Sequence, residues 1–188
     1  MKSPRDPQAE LIPTELMPGL DGHKCPTTGG VWIDLVKYWE WFRAQPGFPK
    51  PIASFESPIP ADIEDDHEGT VLSPRTGRIM RKCRAGSGLG FRIDYEPSSG
   101  FWLDKGEFDS LRSHNLHDEL HLICSPEYQL ELVRLRSDRA EQSRFEQRLG
   151  EENCERIRSF ANWFAQLNDE SIAMTYLMAC IEDERDRV

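Results

Sequence analysis

The chain has 188 residues, 38% of them hydrophobic and 30% charged, with a formal net charge of −10. This length suits one or two small domains. The acidic balance argues against a general nucleic-acid binder, because phosphate contacts need Lys and Arg. The cysteines are scattered, the N-terminus lacks the apolar run of a secretory signal, and no apolar stretch approaches about 20 residues. These features predict a reduced, cytoplasmic protein without a membrane span.

The sequence contains two copies of a motif, each with two four-residue segments that are here called knuckles. The second copy begins 70 residues after the first. The first copy has SPRD at 3–6 and CPTT at 25–28, and the second has SPRT at 73–76 and EPSS at 96–99. With cysteine at both ends of each knuckle, each copy would read C-x2-C…C-x2-C, with residues 7–24 or 77–95 between the knuckles. That spacing is typical of a zinc site. The eight ligand positions are Ser3, Asp6, Cys25, Thr28, Ser73, Thr76, Glu96 and Ser99.

These eight positions are chemically poor for zinc. Structural zinc is usually held by four thiolate or imidazole ligands, and among these positions only Cys25 can provide a thiolate. The sequence therefore predicts a protein that keeps the frame of the motif as a scaffold, without a metal or any other cofactor.

The residues after the second knuckle of each copy also repeat. The first copy continues to Trp32-Ile33-Asp34, and the second runs through WLDKGEF at 102–108. This pattern resembles the transcription-factor-IIB-type zinc ribbon family, whose second knuckle leads into Trp-Leu-Asp and a helix. The resemblance implies a β-hairpin module followed by a helix in each copy. Members of that family are mostly small bacterial proteins of uncharacterised role, so the resemblance implies no particular activity.

In the first copy, residues 11–16 indicate a short hairpin arm, and Asp34 is placed to cap a helix that is apolar on nearly every side. Burial inside the protein and docking on a partner both explain such a helix. In the second copy, residues 78–83 and 90–95 alternate as strands do, with a turn at 85–90. Asp104, with Glu107 three residues on, predicts a capping box.

The rest of the chain divides into a linker and a helical region. Prolines at 49, 51, 58 and 60 predict an irregular connection over 45–72, which also carries an acidic stretch at 56–68. Ser125-Pro126 predicts the start of a long helix that ends near Gly150, and apolar stripes predict further helices near 152–167 and 170–184.

The predicted fold class is α+β, with two small zinc-ribbon-like β-hairpin modules, each followed by a helix, and a C-terminal helical subdomain. The predicted domains are a module at 1–44, the linker at 45–72, a second module at 73–115 and the helical region at 116–188. Because a ribbon of roughly 40 residues without metal builds little core, we expect the modules and helices to pack as one compact body.

Histidines at 117 and 121 are four residues apart and flank Asp118 and Glu119. On a helix they would share a face and could hold a metal, in a pattern close to the H-E-x-x-H motif of metalloproteases. No obvious third ligand follows. A metal-dependent hydrolase at His117 and His121 is thus the third functional reading. A nucleophile elbow, a P-loop and a catalytic carboxylate pair are not recognisable, so we expect no catalytic residues and no enzyme activity.

The leading functional reading is a non-enzymatic protein-binding adaptor, assembly factor or regulator. Residues 75–92 carry mainly basic side chains and follow the acidic stretch at 56–68. This arrangement indicates either neutralisation of the two charges within the fold or contact of the basic residues with an anionic partner. The predicted partner-binding residues are Arg78, Arg81, Lys82, Arg84, Arg92, Arg136 and Arg139, with Arg144 and Arg148 further along the same helix. The alternative is a transcription-related, nucleic-acid-binding protein that uses the basic hairpin 75–92.

Overall fold

The computed structural model of the protein describes residues 1–47 and 69–187. Most of the predicted linker, including the prolines at 49, 51, 58 and 60 and the acidic stretch, lies outside the described residues. The first half contains β1 (Ile12–Met17), β2 (Leu20–Lys24), β3 (Val31–Asp34) and α1 (Leu35–Arg43). The second contains β4 (Arg81–Gly86), β5 (Leu89–Glu96), β6 (Gly100–Leu103) and α2 (Glu107–Ser113). Then follow α3 (Leu120–Ile123), α4 (Pro126–Leu149), α5 (Glu151–Phe164) and α6 (Glu170–Arg185).

The strands form one antiparallel sheet in the order β1-β2-β3-β6-β5-β4. The two copies therefore meet at their third strands, with the hairpins β1–β2 and β4–β5 on either side. Trp32 pairs directly with Trp102, and its neighbours pair reciprocally around that point, Val31 with Leu103 and Ile33 with Phe101. The sheet is thus approximately two-fold symmetric, and the predicted α+β class is confirmed.

Gly100 allows the two central strands to approach. It has φ of 146°, and a Cβ there would overlap the carbonyl oxygen of Ile33 on the facing strand. An L-residue rarely adopts this backbone conformation, so glycine is required both by the dihedral angle and by the close approach of β3.

Side chains alternate between two buried layers. One face of the sheet, with Ile33, Phe101 and Ile93, packs under the helices, which add Tyr38, Leu111, Leu120 and Leu132. The other face carries Trp32 and Trp102, covered by residues of the knuckle-bearing segments, Ala9, Leu11, Cys25, Val71 and Met80. Trp32 and Trp102 occupy equivalent positions in the two copies and are 1% and 0% exposed.

Helix α1 begins as predicted, because the Asp34 carboxylate accepts hydrogen bonds from the backbone N–H groups of Val36 and Lys37. Its apolar face is buried through Tyr38, Trp41 and Phe42, which supports burial inside the protein over docking on a partner. The α2 cap differs from the prediction. The N-cap is Gly106, and only half of the capping box forms, with Glu107 Oε2 accepting from the Asp104 N–H at 2.7 Å. The Asp104 carboxylate instead accepts hydrogen bonds from the side chains of Arg5 and Trp102.

The chain forms two compact units, the first ending at Arg136 and the second starting at Ser137, instead of one compact body. Helix α3 and the start of α4 belong to the first unit. In the second unit, Cys154 is the one buried residue among those described. Its helices lie at the predicted positions, but they form little core of their own. Across residues 1–47 and 69–187, every helix is too short or too polar to cross a membrane.

Candidate functional site

The four ligand positions of the second copy come together as a hydrogen-bonded cluster. Ser73 Oγ lies 2.8 Å from Ser99 Oγ, and Thr76 Oγ1 lies 3.5 Å from Glu96 Oε2. Ser73 Oγ also accepts from the backbone N–H groups of Arg75 and Thr76, at 3.3 and 3.2 Å. The fold of the knuckles thus places all four side chains at one point, as their spacing predicts.

Glu96 is the anionic member of this cluster. It is only 5% exposed, and its carboxylate accepts from the backbone N–H and the hydroxyl of Ser98. Burial by itself raises the pKa of this carboxyl, but the hydrogen bonds from Ser99 and Ser98 outweigh it and hold the pKa below its usual value. The carboxylate therefore stays ionised and is the acceptor for the surrounding donors.

The first copy places Cys25 where the second has Glu96. The thiol is buried and lies 3.2 Å from Thr27 Oγ1, which donates to Asp6 Oδ2 at 2.7 Å. Although burial raises the pKa of Cys25, hydrogen bonds from Ser3, Thr27 and Thr28 lower it to about 6. Equivalent positions in the two copies thus both favour an anion.

The donor sets do not fit zinc. In the second copy, hydroxyls and one carboxylate satisfy one another, and in the first a single thiolate is surrounded mainly by hydroxyls, which are poor zinc ligands. Within the described ranges, no group of three or more His, Cys, Asp or Glu side chains is arranged to hold a metal ion. What remains in each copy is a hydrogen-bonded cluster at the position where the motif would place a metal.

Two arginines at equivalent knuckle positions link the copies. Arg5 of the first copy donates to Asp104 of the second at 2.7 and 3.1 Å and to Asp94 at 3.2 Å. Arg75 of the second copy pairs reciprocally with Asp34 of the first. Asp34 and Asp104 each end the Trp-x-Asp tail of their own copy. The pairs Arg75–Asp34 and Arg5–Asp104 therefore repeat the symmetry of the sheet. The Asp104 carboxylate also accepts from Trp102 Nε1 at 2.9 Å.

We expect the two arginines to contribute unequally to stability. The Arg5 side chain is 13% exposed and contacts Asp94, which is 3% exposed, so Arg5→Met leaves a buried carboxylate short of a partner and should cost about 3 kcal/mol. The matched change Arg75→Met removes a side chain that is 55% exposed and should cost less than about 1 kcal/mol. Urea unfolding of both variants measures the difference. Equal losses would contradict this assignment.

The predicted basic surface does not form a single patch. Arg81 lies over the ring of Tyr95, 5.5 Å from its centroid, while Lys82 pairs with Asp94 at 3.7 Å. Neighbouring residues of a strand point to opposite faces, so Arg81 and Lys82 do not act on one surface. Arg78 is exposed and precedes β4. Reversing the charge of Lys82 would place a second carboxylate beside buried Asp94.

Two of the predicted residues lie side by side: Arg84 and Arg92 are directly opposite on β4 and β5. Burial, followed by the charges of Arg136 and Arg92, lowers the pKa of Arg84. Sequence analysis missed Gln129, which aligns α4 with this edge of the sheet. Its Oε1 accepts from the Arg84 N–H and its Nε2 donates to the Arg84 carbonyl, both at 2.9 Å. Arg139 belongs to the second unit and is exposed.

The histidine pair does not share a helix. His117 lies in a turn, and His121 lies in the four-residue α3. The Nδ1 of His121 is 2.8 Å from the hydroxyl of Tyr38, and its ring packs against Trp39 and Phe42, with centroids 4.7 and 4.9 Å away. The expected common helical face is therefore absent, because the chain turns before His121. His121 contributes to aromatic packing of α1.

The second unit exposes large apolar side chains on α5 and α6. On α5, Ile157, Phe160 and Trp163 are 54%, 41% and 54% exposed. A cleft of about 490 Å³ lies within the same unit. It is lined by Asp138, Glu141, Gln142, Phe145, Leu149, Cys154, Ile157 and Arg158.

Comparison with family models, with curated proteins and with solved structures gave no match to this chain.

Proposed function

We propose that this protein is a non-enzymatic protein-binding adaptor, assembly factor or regulator, built on two ribbon-like modules that hold no metal. The observation that carries the proposal is the apolar surface of the second unit. Exposed large hydrophobic side chains grouped on one element are typical of protein-interaction sites. Here Phe160 and Trp163 form a ring pair, with centroids 5.5 Å apart, on the exposed part of α5.

The chemistry of this surface favours a protein over a small molecule or a nucleic acid. Tryptophan and other aromatic side chains are the residues that most often dominate binding energy at protein interfaces. The cleft, which Ile157 also lines, has two carboxylates, Asp138 and Glu141, and one arginine, Arg158, among its lining side chains, and this net negative charge disfavours phosphates. A partner helix with apolar anchors and basic flanks suits this combination.

Nucleic-acid binding through the basic hairpin is the second candidate. The placement of Arg84 directly opposite Arg92 on this hairpin supports it. The net charge of −10 opposes it, because long-range repulsion weakens docking on a polyanion.

The test is affinity capture from the cells that produce the protein, with wild type beside two triple variants of α5. In the first, Ile157, Phe160 and Trp163 are replaced by serine. The matched control replaces the exposed polar residues Glu152, Glu155 and Arg156 by serine. We expect the apolar variant to lose at least about tenfold of the specifically captured protein, since loss of one interface aromatic can cost 2 kcal/mol or more. The control should retain capture.

Circular dichroism establishes that both variants stay helical. Equal capture by the wild type and the apolar variant would contradict the proposal. Binding of a random oligonucleotide at physiological salt, equally by both α5 variants, would favour the second candidate.

A further inference from the structure

We propose that the apolar side chains of α5 and α6 form a dimer interface, which is covered by the same surface of a second copy of this chain. The inference rests on the protein-binding surface of the proposed function and names its partner. It also brings in α6, whose side chains the capture experiment leaves unchanged.

The first argument is that α6 is apolar on opposite sides. Residues 171–181 include no charged side chain, and none of the described residues of α6 is buried. With about 100° between successive residues, Ile172 and Tyr176 lie on one side of the helix. Met174 and Met178 lie on the opposite side, and all four side chains are exposed. A helix that is apolar all round is normally surrounded by protein, so contact on one side alone would leave the other side in water.

The second argument is that the second unit has little of its own to cover these side chains. Among residues 137–187, Cys154 is the one buried residue. Small units with little core usually depend on further stabilisation, such as disulfides or oligomerisation, and the cysteines described are free. A partner that binds only at times would leave the surface in water between encounters, whereas a second copy is present wherever the chain is present.

The third argument is the size of the exposed apolar surface. The three residues of α5 named above and five residues of α6 are between 38% and 72% exposed. Side chains of this size have about 200 Å² of surface each, so at roughly half exposure the set presents about 800 Å² per copy. A standard stable interface buries about 800 Å² on each partner. The five residues of α6 are Ile172, Met174, Tyr176, Met178 and Ile181.

The side chains of the two helices are also self-complementary. Helix α5 exposes the rings of Phe160 and Trp163, and α6 exposes the thioethers of Met174 and Met178. Methionine adapts to irregular surfaces and packs favourably against aromatic rings. In a two-fold interface, each contact between α5 of one copy and α6 of the other occurs twice. Two copies therefore supply four helices, and a four-helix bundle can enclose a helix such as α6 on more than one side.

The net charge of −10 opposes this contact only weakly. The uncharged run 171–181 is about 16 Å long at about 1.5 Å per residue, which is twice the Debye length of about 8 Å at physiological ionic strength. Charges beyond the two ends of the run are therefore screened along most of α6. Repulsion between the copies is small where the apolar side chains of α6 meet.

The test is the molar mass of the full-length protein in solution, measured by sedimentation equilibrium at physiological salt. We expect a dimer with a Kd of about 10 µM or tighter, within the range of interfaces of this size. The triple variant Ile172→Ser, Met174→Ser and Tyr176→Ser should raise the Kd at least about 100-fold, because each lost contact is worth about fivefold.

The matched control changes three charged residues beyond the uncharged run of the same helix, Glu182→Ser, Asp183→Ser and Arg185→Ser, all of them exposed. Its Kd should stay within about threefold of the wild type, because rim charges contribute little. Circular dichroism establishes that both variants stay helical. A wild type that is monomeric at about 100 µM, which is far above the expected Kd, would overturn the proposal. So would a helical triple variant that dimerises like the wild type.

The reactivity of Cys180 locates the interface without any substitution. Cys180 is exposed on α6, whereas the other four cysteines are buried. Alkylation by iodoacetamide, followed by mass spectrometry of peptides, is measured at protein concentrations well below and well above the Kd. Dimerisation should slow the reaction of Cys180 at least about fivefold, as mass action covers α6. Unchanged reactivity of Cys180 in a protein that dimerises would show that α6 lies outside the contact, and the proposal would be wrong.

These measurements are distinguishable from the test of the proposed function. A wild type that stays monomeric, together with loss of a captured protein in the α5 triple variant, would overturn the dimer and keep the proposed function. A dimer that dissociates in the α6 variant, together with equal capture by the wild type and the α5 variant, would keep the dimer and contradict the proposed function.

Discussion

Replacing Ser73, Thr76, Glu96 and Ser99 together by cysteine is expected to give a protein that binds one zinc ion per chain. The Ser73 and Ser99 hydroxyls are 2.8 Å apart, and the Ser73 Oγ already accepts two backbone N–H groups, so the knuckles hold the side chains at one point. Structural zinc bound by thiolates contributes apparent free energies of about 10–16 kcal/mol in zinc-finger peptides. At free zinc 100 times the Kd, the variant should gain about 2.7 kcal/mol in unfolding free energy.

Elemental analysis and thermal melting with and without a chelator measure both effects. The matched control carries four cysteines with the last one displaced by a single position, at Ser98 instead of Ser99, and should bind zinc far more weakly. The wild type is expected to hold no stoichiometric zinc. A folded four-cysteine variant without zinc would show that the knuckle backbone cannot form the site, and zinc retained by the wild type would contradict the metal-free scaffold.

Trp102→Ala is expected to lower the free energy of unfolding of the first unit by about 3–5 kcal/mol. The ring is 0% exposed, pairs across the sheet with Trp32 and donates its N–H to Asp104, which also binds Arg5. The change therefore leaves a cavity at the junction of the two copies and removes one donor from a partly buried carboxylate. These contacts help to hold the two copies together.

The control is Trp163→Ala on α5. That ring is 54% exposed, so its removal should change stability by less than about 0.5 kcal/mol. Urea unfolding followed by circular dichroism, with hydrogen exchange at the amides of β3 and β6, locates any loss. A Trp102→Ala protein as stable as the wild type would mean that the central strand pair does not depend on this packing.

The sequence by itself determined the local features of the fold. Asp34 caps α1 as predicted, because capping depends only on a side chain and backbone N–H groups two or three residues away. The helices from Pro126 onward and the glycine-containing turn of the second hairpin follow from periodicity and turn residues in the same way. Ser73 and Ser99 meet at the ends of two knuckles, as do Thr76 and Glu96, and the spacing of the knuckles is what singles out these four positions.

Tertiary structure alone decided which residues meet across the copies. Asp104 has the local pattern of a capping residue, yet its carboxylate binds Arg5, which is 99 residues away, and no periodicity encodes that contact. The basic hairpin was predicted as one surface, but strand pairing matched Lys82 with Asp94 and placed Arg84 opposite Arg92. Gln129 of α4 then bonded the backbone of Arg84 at the edge of the sheet. Spacing along the chain specifies an element and its faces, whereas long-range packing selects the partner of each face, and the charged residues of this protein depend on that second step.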